Sequence, residues 1–507
     1  MKILFVDPPH APWDFFPGRM PSPGLMAIVP FAVRSGCDAA VLDLSLEADP
    51  AAALEKKAAS FAPDVVAISG SKSAFAFETA NAAMLTRKFL PGAVLIGGGN
   101  FASSYAGELV SRGIFDIIIK GEGELPFSGV LKALKENKPL NIKNIPGLIY
   151  SKKMMNSVRD YRKSLSGIFS GFEISRAEGF RSRANVFDRE KLFEYDDTGP
   201  AGLISDMDSL PLPAFEYFDM DSYTLPPLGG KTGFVQSFSR GCGKRCSFCA
   251  DSLFWGHTWR GFSAGRCVEI LKILSSAYGR RIIYFGDDDF FWDRGRNLRF
   301  LELLEKERET GGLKINFWIQ TSVDNILNNR DILKRYRKAG LYQIMCGFES
   351  VSGAAQASFK KVHSMDKMTA AAGAVKNAGI IIMGMMMWGD YGDDERTLRE
   401  NLDFLVKNCD VIGPNTVTPH YGTPYYEECE KRGLVTKYSV LGSDQCYVIM
   451  PTYALDISEA ERIYKDLVLK TLISKKKFIG NYLSDRKLRI KAVVSDLVET
   501  GYKGNAL

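Results

Sequence analysis

Short apolar runs alternate with longer amphipathic stretches through residues 1 to about 140, and that rhythm predicts βα units laid on a parallel sheet. The expected strands are Lys2–Val6, Ala40–Asp43, Asp64–Ser69, Ala93–Gly97 and Asp116–Lys120. Helices are expected between them at Leu25–Ser35 and Phe75–Phe89, the second stopped by Pro91. Five such strands predict an α/β, doubly wound, Rossmann-like domain over 1–140, with its ligand edge beyond the carboxyl ends of the strands. Three glycine-bearing loops fall on that edge: Ser69-Gly70-Ser71, Gly97-Gly98-Gly99-Asn100 and Gly121-Glu122-Gly123-Glu124. Glycine there lets backbone approach a ligand closely, or simply closes a tight turn. Neither the phosphate-cradling loop nor the dinucleotide fingerprint is present, since Asp7-Pro8-Pro9-His10 follows the first strand.

Periodicity fades over 141–232, where Ser, Arg, Asp and Pro accumulate, and the stretch reads as a linker lying over the surface. The βα alternation resumes at Gly233. Strands are expected at Phe234–Ser239, Arg281–Asp287, Lys314–Thr321, Leu341–Phe348, Gly379–Met387 and Asp410–Val417. Six units are fewer than the eight of a closed barrel, so a partial (β/α)6 barrel over 233–435 is the natural form. Residues 436–507 read as a mostly helical C-terminal region, basic at Lys475-Lys476-Lys477.

Composition narrows the class. The chain has 507 residues, 46% hydrophobic and 24% charged, which excludes disorder and small disulfide scaffolds and suggests about three domains. A net charge of +6 over this length, without clustering, argues against a nucleic-acid partner. The start of the chain turns polar after four apolar residues and lacks the core of a signal peptide. The most apolar run, Gly379 to Trp388, is about half of a membrane span of roughly 20 residues. A cytoplasmic protein is expected, and nine cysteines, odd in number and mostly isolated, suit a reducing compartment.

Three cysteines differ from the rest. After the first barrel strand the chain reads Ser239-Arg240-Gly241-Cys242-Gly243-Lys244-Arg245-Cys246-Ser247-Phe248-Cys249-Ala250. Their spacing also fits one helix face, but the glycines and charges between them oppose a buried helix. With His257 they would make a four-ligand zinc site, though no paired Cys-x-x-Cys knuckle is present. An iron–sulfur cluster held by three thiolates leaves one iron open for a substrate or cofactor.

Cys-x-x-x-Cys-x-x-Cys with an aromatic before the last cysteine resembles the signature of the radical S-adenosylmethionine superfamily. The resemblance continues through Trp255-Gly256-His257-Thr258-Trp259-Arg260-Gly261-Phe262-Ser263, Tyr284-Phe285-Gly286-Asp287-Asp288-Asp289-Phe290, Gly347-Phe348-Glu349-Ser350 and Thr418-Pro419-His420-Tyr421-Gly422-Thr423-Pro424. It implies that Cys242, Cys246 and Cys249 ligate a [4Fe-4S] cluster, and that Phe248, Asp287, Gln320 and Glu349 belong to the S-adenosylmethionine site. The cluster's open iron would chelate the amino and carboxyl groups of S-adenosylmethionine, and an electron from it would release a 5′-deoxyadenosyl radical. An external electron donor of flavodoxin or ferredoxin type is implied with it.

Alternation along the fourth strand places Gln343, Met345, Gly347 and Glu349 on one face and Cys346 on the other. A carboxylate inside a barrel needs a partner: the ammonium of S-adenosylmethionine, or a barrel Arg or Lys. Three consecutive acids, Asp287 to Asp289, call for a cation or a solvated turn.

A doubly wound domain ahead of such a barrel resembles the cobalamin-binding domain of class B radical enzymes. The resemblance implies cobalamin at Ser69, Gly97, Gly98, Gly99, Gly121, Glu122 and Gly123. No His follows an Asp by two residues, so the Asp-x-His-x-x-Gly cobalt-binding motif is absent, and the loop Pro8 to Phe16 is the candidate for the cofactor's lower face. A cobalamin-dependent radical methyltransferase acting on an unactivated carbon or phosphorus is the function this implies. Cyclisation, oxidation or carbon–carbon coupling, with or without cobalamin, is the alternative, and a non-catalytic cobalamin- or zinc-binding module a further one. The organic substrate is not legible.

Overall fold

The computed structural model describes residues 1–9, 19–70, 76–156, 190–225, 231–435 and 448–466. The chain divides into two compact units, Met1–Tyr223 and Thr224–Leu507, where length alone suggested about three.

The first unit is built on a seven-stranded sheet ordered β2-β1-β3-β4-β5-β6-β7. Its strands are β1 Lys2–Asp7, β2 Asp38–Asp43, β3 Val65–Ser69, β4 Val94–Gly98, β5 Ile117–Ile119, β6 Leu148–Ser151 and β7 Tyr195–Asp197. The first five are parallel, as the alternation predicts. β3 and β5 are buried along their whole length, because helices cover both faces. The first two connecting helices carry clear start signals: Ser22 caps Pro23–Arg34 and Asp49 caps Pro50–Phe61, each with proline at the first helical position.

The stretch read as a linker is the main difference. β6 and β7 come from it and add antiparallel to β5, so the five expected strands become seven. Further along, Tyr223 donates a buried hydrogen bond to Asp43 at 2.8 Å, and the Ala214 N–H donates to Met26 O at 3.0 Å. Its described residues up to Tyr223 are thus part of the first unit. Two short strands without clear alternation carried too weak a period to be read from sequence.

The second unit contains a six-stranded, wholly parallel sheet ordered β15-β14-β13-β12-β11-β8. It comprises β8 Gly233–Gln236, β11 Ile282–Phe285, β12 Asn316–Ser322, β13 Leu341–Glu349, β14 Ile381–Trp388 and β15 Val411–Thr416. All six expected strands are present, with ends shifted by at most three residues. β9 Ser239–Arg240 and β10 Arg260–Gly261 form a small antiparallel pair flanking the cysteine loop. The 457–466 helix packs Tyr464 against Trp388, ring centroids 5.9 Å apart, which fixes the described part of the C-terminal region onto the barrel. Lys475-Lys476-Lys477 lies outside the described residues.

Two faces are distinguishable along β13 and β14. Cys346, Phe348 and Met386 are fully buried and Trp388 nearly so, while Met345, Gly347, Glu349, Met385 and Met387 are half-buried. A side chain added at Gly384 would meet Cys409 and Leu405, so that face packs on the 395–408 helix. One added at Gly413 would meet Met385 and Met383, so those methionines occupy the lumen. The lumen is therefore open at the carboxyl ends of these strands.

Candidate active site

The cysteine loop leaves the barrel at β9 and returns at β10. Gly241 has φ +84°, and a side chain there would collide with Thr258 O and the Trp255 ring; one at Gly243 would collide with Trp292. Only glycine fits either place, and a helix through the three cysteines is excluded. The Ser252 hydroxyl gathers the loop, lying against Lys244 O, 3.3 Å from Cys242 O and 2.9 Å from His257 Nδ1. His257 is thereby engaged within the loop. The Ser252 N–H donates to Cys249 Sγ at 3.4 Å.

External ties hold the loop to the barrel. The Ser247 N–H donates to Phe359 O at 3.0 Å, its hydroxyl donates to Ser358 O at 2.5 Å, and the Tyr425 N–H donates to Ser247 O at 3.0 Å. Phe248 stands edge-on to Phe359 with centroids 5.3 Å apart, which gives the aromatic of the motif a packing role. Lys244 binds Asp324 at 2.6 Å, and Asp324 also takes Lys367 at 2.5 Å. Burial would raise the Asp324 carboxyl, but the two ammonium groups hold it well below the usual range.

Burial pushes all three loop thiols up, that of Cys242 to about 11, and the Asp288 charge adds to the rise at Cys242 and Cys249. Deprotonation of these cysteines thus needs a compensating cation, which a cluster's irons provide. Among the described residues no three His, Cys, Asp or Glu side chains converge as ligands of a single ion. A [4Fe-4S] cluster takes each thiolate on a separate iron and does not require such convergence.

The three acids after β11 are neither a cation cage nor a solvated turn. Asp287, 1% exposed, accepts from the Ser239 hydroxyl and from the Phe238 N–H at 3.3 Å, so it pins the root of the cysteine loop. Burial raises its carboxyl to about 6 against the pull of Arg296. Asp289, equally buried, accepts from Thr321 and Ser322 hydroxyls at 2.6 and 2.8 Å and from Asn325 at 2.9 Å, tying β11 to β12. Burial raises Asp288 as well, with Asp251 and Asp287 adding to it.

Gln320 lies in the lumen with its Oε1 3.4 Å from the Tyr284 hydroxyl, and Tyr284 stacks on Trp318 at 4.0 Å. Glu349 reaches the lumen through φ +64° at the end of β13, where the register shifts. Its carboxylate is held by Lys361 Nζ at 2.6 Å, with the two side chains 12% and 10% exposed. The barrel-lysine alternative for its partner is the one the structure contains. Lys361 itself was not singled out from the sequence, and no local signal marks it, since the preceding Lys360 makes the required turn at φ +51° without a glycine.

At the ligand edge of the first unit, the expected residues separate into two kinds. Gly98 has only ordinary contact and Gly121, at φ +74°, has nothing near its missing side chain, so both present open backbone. Gly99, at φ +101°, turns the chain into the next helix. Gly97, by contrast, is demanded by packing: a side chain would stand 2.5 Å from Ile118 Cδ1 and 3.0 Å from the Phe115 ring. Glu122, 3% exposed, accepts from the Ile204 N–H at 2.5 Å and is turned into the protein. Gly123 packs near Ile28. The Ser69 hydroxyl meets that of Ser22 at 3.1 Å. Ser71 and the loop from His10 to Phe16 lie outside the described residues.

Residues 237–405 match the family model of the Radical SAM superfamily. That match marks a radical SAM domain over those residues. A protein named an uncharacterized methyltransferase from Pyrococcus horikoshii is 26% identical over 503 residues, covering 98% of this chain and 95% of its own length. An anaerobic magnesium-protoporphyrin IX monomethyl ester cyclase from Synechocystis is 23% identical over 444 residues, 86% of this chain and 78% of its own length. The solved structure of the radical S-adenosylmethionine methyltransferase TsrM from Kitasatospora setae, with cobalamin and a [4Fe-4S] cluster bound, shares the fold. Its TM-score is 0.62 at 16% identity, over 91% of this chain and 85% of that one. No helix among the described residues is long and apolar enough to cross a membrane.

Proposed function

We propose that the protein is a cobalamin-dependent radical S-adenosylmethionine methyltransferase acting on an unactivated carbon or on phosphorus. The observation that carries the reading is the tied three-cysteine loop at the open carboxyl edge of a six-stranded parallel barrel, in a chain that also builds a doubly wound sheet. Cys242, Cys246 and Cys249 would ligate the cluster, while Gln320 and Glu349 face the lumen where S-adenosylmethionine would lie. Phe248 and Asp287 act on that site by holding the loop. Ser69, Gly98, Gly99, Gly121 and Gly123 would receive cobalamin on the first sheet's edge. When bound, the cluster with S-adenosylmethionine supplies a hydrogen-abstracting radical and cobalamin a transferable methyl group. The chain's own contribution is placement: Tyr284, Met345, Met385 and Met387, half-buried, would give the bound reactants an apolar wall.

A flavodoxin- or ferredoxin-like donor is the reductant this chemistry calls for. All eight described cysteines are free thiols, which supports a cytoplasmic setting. Cyclisation remains the second reading, favoured by the cyclase relative and compatible with the same cofactor residues.

The test is metal content of oxygen-free, reconstituted protein, followed by turnover with S-adenosylmethionine deuterated in its methyl group. About four irons and one cobalt per chain, with deuterium carried into the product, support methyl transfer. Radical cleavage with an unlabelled, cyclised product turns the reading to the cyclase, and zinc in place of iron removes both.

A further inference from the structure

The Glu349–Lys361 pair has no part in the ties described above, yet it lies beside the cysteine loop. The backbone of Ser247 is bound to Phe359 O and its hydroxyl to Ser358 O, so the loop beside Cys246 lies against the end of the 353–358 helix. Two residues later the left-handed turn at Lys360 sends Lys361 back to the lumen, and a side chain on Gly347 would stand 2.9 Å from its ammonium. Glu349 sits at the same place, and it too carries a left-handed backbone. Two non-glycine residues in that conformation, one for each partner, are local strain spent on bringing this pair together.

The pair also differs from the other ion pairs near the loop. Lys244 is clamped by Asp324, itself shared with Lys367, so its charge is compensated where water reaches. Glu349 and Lys361 are both nearly buried, where a charge acts with little screening. The pair is close to the loop by geometry: Ser247, next to Cys246, is bonded to Phe359 O at 3.0 Å, and Lys361 follows Phe359 by two residues.

We propose that Lys361 and Glu349 set the reduction potential of the cluster held by this loop, with Lys361 raising it and Glu349 lowering it. The inference rests on the cluster reading given above. On reduction, one electron enters the cluster from the external donor, no bond is broken, and the cluster gains one negative charge. A neighbouring ammonium favours that state and a neighbouring carboxylate disfavours it. The pair thus leaves the cluster reducible by a modest biological donor while its net charge stays near zero.

The experiment is an electron-paramagnetic-resonance redox titration of the reconstituted full chain before S-adenosylmethionine is added. Lys361→Met is expected to lower the one-electron reduction constant at least tenfold, a midpoint about 59 mV more negative. Glu349→Gln is expected to move it the other way, and Lys361→Arg to stay within threefold of the parent. A fall for Lys361→Met with a rise for Glu349→Gln supports the proposal, and the reverse pair of signs overturns it. Shifts of the same sign, or none beyond threefold, overturn it. If Lys361→Met fails to retain iron, Glu349→Gln decides: a rise supports the proposal, and no change or a fall overturns it. A parent protein with no cluster signal removes the cluster reading and this inference with it, whereas a cluster with unmoved potentials removes the inference alone.

Discussion

At the carboxyl edge of the first sheet the exposed chemistry is backbone, while at the carboxyl edge of the barrel it is side chains held by other side chains. Gly98 and Gly121 offer bare chain there, and Glu122, the acid expected to join them, is turned inward onto Ile204. In the barrel, Asp287, Asp289, Glu349, Lys244 and Ser247 each have a partner on another element. The difference follows from what each edge would hold. A large preformed cofactor needs room and close backbone approach, for which absence of a side chain suffices. A cluster loop must keep three thiols and a radical-generating centre in register, and that takes ties of fixed geometry.

Breaking a ligand should separate the two edges most sharply. Cys246→Ser is expected to reduce iron from about four per chain to near none while leaving cobalamin uptake by the first unit in place, measured by metal analysis of reconstituted protein. Loss of both metals together would contradict the division of labour.

Removing a tie comes next. Asp289→Ala leaves Thr321, Ser322 and Asn325 with unmatched buried donors, and should destabilise the second unit by about 3 kcal/mol in urea unfolding. An effect below about 1 kcal/mol would mean that water replaces the carboxylate.

The glycines of the first edge give a smaller and more discriminating pair. Gly97→Ala should cost about 1–3 kcal/mol through overpacking on Ile118 and Phe115. Gly98→Ala should leave unfolding unchanged within about 0.5 kcal/mol yet weaken hydroxocobalamin binding, read by absorbance titration. If both variants behave alike, this edge is not divided between packing and ligand.

The smallest effect is one of pH. Burial, together with Lys361, Lys244 and Lys367, pushes His363 down to about 4 from its ordinary 6.5, against the pull of Asp324. Between those values the unfolded chain holds a proton that the folded chain refuses, so stability falls as pH falls from 6.5 to 4. His363→Gln should flatten that slope by at most about 1.4 kcal/mol per pH unit, measured by unfolding at successive pH values. An unchanged slope would show that His363 is solvated in the folded state.

What was readable from the chain and what was not divides along the same physical line. Eleven strands announced themselves because buried parallel strands are continuous runs of Ile, Val, Leu and Met, and the cysteine loop did so because ligand spacing within twelve residues is local. β6 and β7 escaped because strands of four and three residues are too short to show a period, although β6 is buried along its whole length. The alternation along β13 assigned Cys346 to the packed face, where it is fully buried, whereas Glu349 reaches the lumen through the left-handed turn and register shift at the strand's end. It said nothing of Lys361, twelve residues away in sequence and 2.6 Å away in space. Likewise the run Asp287-Asp288-Asp289 reads as a cation site when its neighbours are only those in sequence. The folded chain surrounds two of these acids with hydroxyls and amide groups from Phe238, Ser239, Thr321, Ser322 and Asn325 instead.

The sequence by itself determined the two α/β architectures, the location of the cluster loop and the chemistry that loop invites, because periodicity and ligand spacing are written over short stretches of chain. Only the tertiary structure decided which glycines present open backbone and which face a neighbour, and which charges sit near the loop. Those depend on residues brought together from distant strands, and the energy of a buried charge is set by its nearest few ångströms rather than by its place in the chain.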